Sequence, residues 1–527
     1  MGRLLVLLPM VLWVVWLETT AGPTREVPVD PMAIALFLAG LVVLPLTVGW
    51  QALRNDRLLR QTSLGNTAAP PRRRPPVLML LLGWHAMGLW QLDWGRLVAN
   101  AVAPVARYSD LPGMLLACTP TLLAWIGLIA AEYPEFRRNR ERQIVYDVEG
   151  GVEAAMPTPF VTWIKSSART LAAFGLIPLA VLVLTRDAIG LILWGVGVFN
   201  SPQPTGEVAE SVSTFTAVLT AVVLGPIIIA RVLPTAPADD SALMQSLGEV
   251  AGEVGMHLPP VRLWRTDRSI SNAFAVGFIP GLRCILLSDR LVGDLYPEQT
   301  QAVFAHELGH LKHKHVAWYV LFVVALVLLM AGPVTWAIDW SLGDLLVAGG
   351  GQRPWWFEVL DISIAVAVIG TVLLGVGWLS RRFEREADIF AARAMQGRYE
   401  ALHGIKKTRE VGAAGATVFA QSLAAAVGRH SLHRRPGFFE ILRQPRRLPP
   451  DERSLPRRFR LAARTTVGGL ATDFLHGSVW SRAHRLHQYA SRPGDLARFR
   501  RFMLIVRVAI LVIGGLCAGL LTFYSVT

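Results

Sequence analysis

Long apolar runs alternate with short polar segments along most of this chain, and the runs are too long for half-buried strands. A membrane-crossing helix needs about 20 mostly apolar residues. The runs at 32–52, 77–93, 112–131, 213–233, 316–338, 359–380 and 503–524 predict spans. Residues 170–199, apolar around "TRDAIG", predict one tilted crossing or a hairpin. Residues 3–17 form a shorter run, read as a first span or a cleavable signal sequence.

Two parts break this pattern. After "ADDSA", apolar Leu243, Leu247 and Val250 fall at helical spacing behind acidic and serine capping residues. Short β-like runs follow, "VRLW", "NAFAVGFI" and "CILL", and then a helix that starts near Pro297, where proline is tolerated. Residues 381–502 begin as a helix ("RRFEREADIFAARAM") and continue into an Arg/Pro-rich stretch that predicts an exposed surface loop. The expected organisation is therefore an N-terminal membrane region over 1–233 with about five or six spans, a small α+β part over 234–315, a pair of spans over 316–380, a helical region with the basic loop over 381–502, and a last span over 503–527.

Composition agrees with a polytopic membrane protein: 53% of the 527 residues are hydrophobic and 17% charged. The net charge of +14 does not predict a nucleic-acid partner, because nearly half of the 52 Lys and Arg lie in 381–502 and most others in short segments between apolar runs. Basic loops mark the cytoplasmic side. Residues 53–76 and 132–169 are basic, whereas 200–212 carry no Lys or Arg, so 381–502 and the 234–315 part share the cytoplasmic side if 170–199 crosses once. The partners implied are the bilayer and no nucleic acid. Cys118, Cys284 and Cys517 lack the pairing of a disulfide framework or a cysteine zinc site.

Candidate chemistry sits where a polar helix runs into an apolar one, in "YPEQTQAVFAHELGHLKHKHVAWYVLFVVALVLL" (296–329). His306 and His310 are four residues apart and share a helix face, so both imidazoles can reach one ion. Glu307 is rotated by about 100°, placed to touch a metal-bound water without ligating. A catalytic zinc takes a third protein ligand. A third histidine six residues after the second is excluded, since that position is Val316. "SRRFEREADIFAAR" (380–393) offers Glu384, Glu386 and Asp388; Glu384 and Asp388 share a face, and Glu386 points nearly opposite. Two spans separate this helix from the His306 helix, so their cytoplasmic ends can lie side by side. His313 and His315, with Lys312 and Lys314, are expected at the headgroups rather than in an accessory metal site.

These segments resemble the membrane zinc metalloproteases of the M48 type, which include the CaaX prenyl endoproteases and the bacterial heat-shock membrane proteases. "AVFAHELGHLKHKH" is similar to the family's metal helix, and "FEREADIFAA" to its Glu-x-x-x-Asp helix. "ISNAFAVGF" (270–278) resembles its Asn-Ala-Phe strand beside the cleft, and "HGSVWSR" (476–482) its His-Pro-x-x-x-x-Arg stretch, with Gly477 where proline is usual. The resemblance implies one Zn²⁺ per chain held by His306, His310 and Glu384, with Asp388 orienting a ligand histidine. It further implies Glu307 as general base, His476 as oxyanion donor, Arg482 as a partner of nearby carboxylates or substrate carbonyls, and Asn272, Ala273 and Phe274 along the substrate.

The fold expected is mainly α: a polytopic membrane protein with a cytoplasmic zincin-like α+β catalytic part. The function expected is hydrolysis of peptide bonds in membrane-associated polypeptides by a zinc-activated water, in quality control or processing at a bacterial inner membrane. Arginine far outnumbers lysine, which argues for such a source over the alternative, prenyl-protein processing. A reading of another class is a transporter or assembly factor with a structural zinc, but closed structural sites favour four ligands and need no general base.

Overall fold

The structure, a computed structural model, describes residues 8–20, 29–61, 74–106, 109, 111–149, 156–196, 205–266, 270–277, 279–329, 355–403, 411–427 and 479–526. The chain divides into two compact units, one of residues up to Thr235 with 265–268, the other of Ala236–Trp264 and the residues from Ser269 onward.

The first unit is helical throughout its described elements. Its apolar runs become helices at Leu8–Thr20, Pro31–Gln61, Arg74–Trp90, Leu111–Ala131 and Thr205–Val232. Met10, Trp13 and Trp16 of the first helix are buried in the unit's core beside Phe37, Leu81 and Met114. Between Phe160 and Gly195 the backbone stays helical, with a π-turn over Ala172–Leu176 and no reversal. The described part of this run is therefore one continuous helix, not a hairpin. The basic segment after residue 132 is not a plain loop but contains the helix Tyr133–Glu149, where Arg137 and Glu141 pair at i,i+4.

Among the described residues, Pro31–Arg54, Leu111–Arg138 and Pro493–Leu520 are helices long and apolar enough to cross a membrane. Val77–Trp90, Thr216–Val232 and His315–Leu326 are shorter apolar helices. Leu36, Val42, Leu46, Leu504, Val508 and Leu511 stand exposed on the first and last of the long helices, as side chains facing lipid should. The chain is a membrane protein.

The second unit carries the only described sheet, four strands in the order β1-β2-β4-β3, with β1 Thr235–Pro237, β2 Val261–Trp264, β3 Ala273–Val276 and β4 Cys284–Ser288. β2 runs parallel to β4, and β3 antiparallel to it, with Phe274 opposite Leu286 and Ala275 opposite Ile285. β3 is thus an edge strand. The predicted "VRLW" and "CILL" runs are strands as expected, while β1 carried no sequence signal.

Behind the sheet lie a short helix, Ser241–Glu253, capped by the Asp240 carboxylate on the Ala242 and Leu243 amides, and the histidine helix, Pro297–Lys312. The histidine helix starts cleanly because Pro297 needs no amide partner there and the Gln299 side chain accepts from the Tyr296 amide. The acid-bearing segment is part of one 48-residue helix, Trp355–Leu402, rather than a new helix after a span. Ala413–Val427, Val479–Ser491 and the C-terminal helix Pro493–Val526 complete the unit. Its core joins Ile285 and Leu287 of the sheet, Phe304 and Leu308 of the histidine helix, Phe383 of the long helix, and Phe419.

Candidate metal centre

Two helices make the site. Gly309 lies where they approach most closely: a Cβ there would stand 3.0 Å from the Ala387 Cα and 3.3 Å from the Phe390 Cβ. The glycine of His-Glu-Leu-Gly-His therefore lets the acidic helix come within reach of the histidines, a contact that any side chain at 309 would hold apart.

At this crossing the Nε2 atoms of His306 and His310 are 3.1 Å apart, and Glu384 presents one carboxylate oxygen 3.4 Å from the first and the other 3.6 Å from the second. Donors bound at about 2.0–2.2 Å to a tetrahedral zinc stand roughly 3.3–3.6 Å from one another. The His306, His310 and Glu384 atoms thus fit one zinc ion, with little movement needed to close around it. All three belong to one cluster of ligand-type side chains, with His306 and Glu384 buried.

Each element around the cluster has its own partner. His306 Nδ1 is 3.1 Å from Asp388 Oδ1, and the Arg482 guanidinium donates to both Asp388 oxygens, Nε at 2.9 Å and an Nη at 2.5 Å. The same guanidinium reaches Glu384 at 3.3 Å. Glu307, beside the histidines on the sheet side, accepts the Ala275 amide of β3 at 2.8 Å through Oε2. The His306 ring also stacks on Phe419, with centroids 5.8 Å apart.

The pKa values follow from these neighbours. Burial alone would lower the His306 pKa, but the Asp388 and Glu384 carboxylates outweigh it and push it up to about 9. His310 lacks a directly bonded carboxylate; burial, then the His306 charge, bring it down to about 4. Burial would raise Asp388, yet the Arg482 guanidinium and His306 hold it below the ordinary carboxylate value.

The structure brings His306, Glu307, His310, Glu384, Asp388 and Arg482 together. Asn272 is exposed at the start of β3, and its main chain is engaged by Ser288: the Asn272 amide donates to Ser288 Oγ and its carbonyl accepts the Ser288 amide. Ala273 is buried in β3, and the Phe274 ring packs edge-on against Trp264 at 5.6 Å. His476 lies outside the described residues. The expectation that His313 and His315 anchor the helix at the headgroups fails for His315, which is 1% exposed and touches His310. Helical periodicity gave no sign of that contact, because the chain leaves the α-helix between the two residues.

Residues 237–433 match the profile of Peptidase family M48. Protease HtpX of Chromohalobacter salexigens is 28% identical over 160 residues, which is 30% of this chain and 52% of that protein. The HtpX homolog of Aeropyrum pernix is 26% identical over 192 residues, 36% of this chain and 56% of the relative, and the homolog of Herminiimonas arsenicoxydans is 28% identical over 170 residues, 31% and 56%. The chain therefore spans a little over half the length of these curated relatives. The crystal structure of S. mikatae Ste24p aligns over 76% of this chain and all of its own, at 16% identity and a TM-score of 0.29. By the family match, residues 237–433, which carry His306, Glu307, His310, Glu384 and Asp388, are similar to peptidase family M48.

Proposed function

We propose that the chain is a membrane-embedded zinc metalloendopeptidase that cleaves membrane-associated polypeptides, and the observation that carries this is the His306, His310 and Glu384 triangle at zinc-ligand spacing with Glu307 beside it. His306, His310 and Glu384 would hold a zinc ion there, which would supply an acidified water and polarise the scissile carbonyl. The protein residues do the rest. His306 and His310 hold the ion through Nε2, and Asp388, fixed by Arg482, keeps the His306 proton on Nδ1. Glu307 takes the proton of the attacking water and returns it to the leaving amine. Its Oε2 is held by the Ala275 amide, which leaves Oε1 as the proton-carrying atom.

Alternation along β3 turns the Ala273 and Ala275 peptide groups away from β4, toward the open edge. An extended substrate adds there as a further strand, with Ala273 offering its main chain and Ala275 linking that strand to the general base. His476 is proposed as the oxyanion donor on the motif spacing alone. The basic loops support a cytoplasmic catalytic face at a bacterial inner membrane, with quality control or processing as the role.

Purified protein in detergent, supplied with zinc and a candidate membrane protein, is expected to yield defined product ends by mass spectrometry. Glu307→Gln should keep its zinc and lose on the order of 10²–10⁴-fold in cleavage rate. A Glu307→Gln variant as active as the wild type would sink the hydrolase reading and leave the structural-zinc one.

A further inference from the structure

Beyond the ligands and Asp388, three residues extend a second chain of contacts from His310. His310 Nδ1 lies 2.9 Å from His315 Nδ1, His315 Nε2 lies 3.0 Å from Glu386 Oε2, and an Arg507 Nη donates to the same Glu386 oxygen at 2.6 Å. The His315 ring is clamped flat against Phe383, centroids 4.4 Å apart and planes within 8°. His313 approaches the other Glu386 oxygen at 3.5 Å. With a guanidinium already on Glu386, this group is poorly suited to a second cation.

The contact between His310 and His315 exists only because of a break in the helix. On a continuous α-helix, residues five apart are rotated by about 140° and cannot meet. The histidine helix ends at Lys312, Lys314 takes a left-handed φ of +54°, and the next helix restarts at His315. That break brings the His315 ring to His310 and to Glu386 of the long helix.

The protons can be placed. With His310 Nε2 facing the ion, its proton sits on Nδ1 and is donated to His315 Nδ1. His315 then carries its own proton on Nε2 and donates it to Glu386. Every donor has an acceptor in one tautomeric assignment, and the negative end is fixed by Arg507 of the C-terminal membrane helix.

We propose that His315 is the positioning partner of His310, held by Glu386 and Arg507, so that the C-terminal membrane helix sets the orientation of the second imidazole of the metal site. This rests on the metal-site reading above, though not on proteolysis. Arg507 lies on the C-terminal apolar helix and turns toward Glu386, and an arginine paired inward on such a helix marks a candidate role.

The test is zinc affinity of the full-length protein in detergent, read by competition with a chromophoric chelator, together with the visible spectrum of the cobalt-substituted protein. His315→Leu is expected to bind zinc about ten- to hundredfold more weakly and to alter the cobalt bands. His315→Gln, whose amide can accept from His310 and donate to Glu386, should recover most of the affinity. Wild-type affinity in His315→Leu overturns the relay, and so does a Gln variant as weak as the Leu variant. If His315→Leu does not fold, Glu386→Leu carries the same test one bond further out, with unchanged zinc affinity counting against the proposal. A wild-type chain that takes up no zinc would instead remove the metal centre itself, and the relay with it.

Discussion

The two imidazoles of the candidate metal centre sit on one helix, four residues apart, yet are held by different means. His306 is backed directly by a carboxylate, Asp388, which is clasped by Arg482 of a short helix. His310 is backed by a neutral ring, His315, and reaches its carboxylate, Glu386, and its arginine, Arg507 of the C-terminal helix, one step later. Both arms end on a carboxylate–guanidinium pair, so each fixes a tautomer. Only the first puts charge against its imidazole. The two histidines are therefore equal in geometry and unequal in basicity, one raised to about 9 and the other lowered to about 4.

The largest break in this comparison comes from removing the arginines. Arg482→Met leaves the buried carboxylates of Asp388 and Glu384 without their shared cation, a loss of about 3–5 kcal/mol in stability. Arg507→Met leaves Glu386 with His315 still donating to it at a more exposed position, so its loss should be nearer 1 kcal/mol. Unfolding midpoints of the zinc-stripped variants in detergent measure the difference. Equal losses would show that the two pairs do not differ in burial as the structure has them.

A smaller effect separates the imidazoles by pH. His306, with its pKa raised to about 9, is protonated at neutral pH in zinc-stripped protein, whereas His310 at about 4 is already neutral. Zinc uptake near pH 7 should therefore release about one proton, from His306, and the release should fade as pH passes 9. The sign for stability follows the same group. His306 stabilises the stripped fold fully below its unfolded pKa near 6.5, and that contribution is lost as pH rises through 9. Calorimetry in buffers of different ionisation enthalpy counts the protons. Two protons at neutral pH, or none, would contradict the asymmetry.

The histidine pair and the acid pair were legible as shared helix faces, the backing of His306 by Asp388 and Arg482 was implied only by the family resemblance, and the second arm gave no sign at all. His306 with His310, and Glu384 with Asp388, obey the four-residue spacing that puts side chains on one helix face. Glu386 was read as pointing nearly opposite to Glu384, yet the helix break at Lys314 brings His315 into contact with both Glu386 and His310. Periodicity assumes an unbroken helix, so it is blind to a partner delivered by a kink. The same assumption, applied in the other direction, split Trp355–Leu402 into a span and a separate helix where the backbone is continuous. Apolar patterning found the long apolar helices, because burial and lipid contact select on side chains alone, but missed Trp94–Ala106, Tyr133–Glu149 and Ala413–Val427. It gave no sign of β1, three residues paired through the main chain.

Lys314 allows the subtlest test of the contrast. A lysine in the left-handed region costs roughly 1 kcal/mol relative to glycine, which adopts it freely. Lys314→Gly should relieve that cost in the folded state while adding freedom to the unfolded chain, so a net gain of under about 1 kcal/mol is expected. Zinc affinity should stay at the wild-type value, because His315 is still delivered to His310. Lys314→Val, whose branched side chain resists a positive φ, should instead straighten the junction, weaken the His310 arm and leave the His306 arm intact. The cobalt spectrum of Lys314→Val should then resemble that of His315→Leu. A Val variant with a wild-type spectrum would mean that the left-handed turn is not what brings the two rings together.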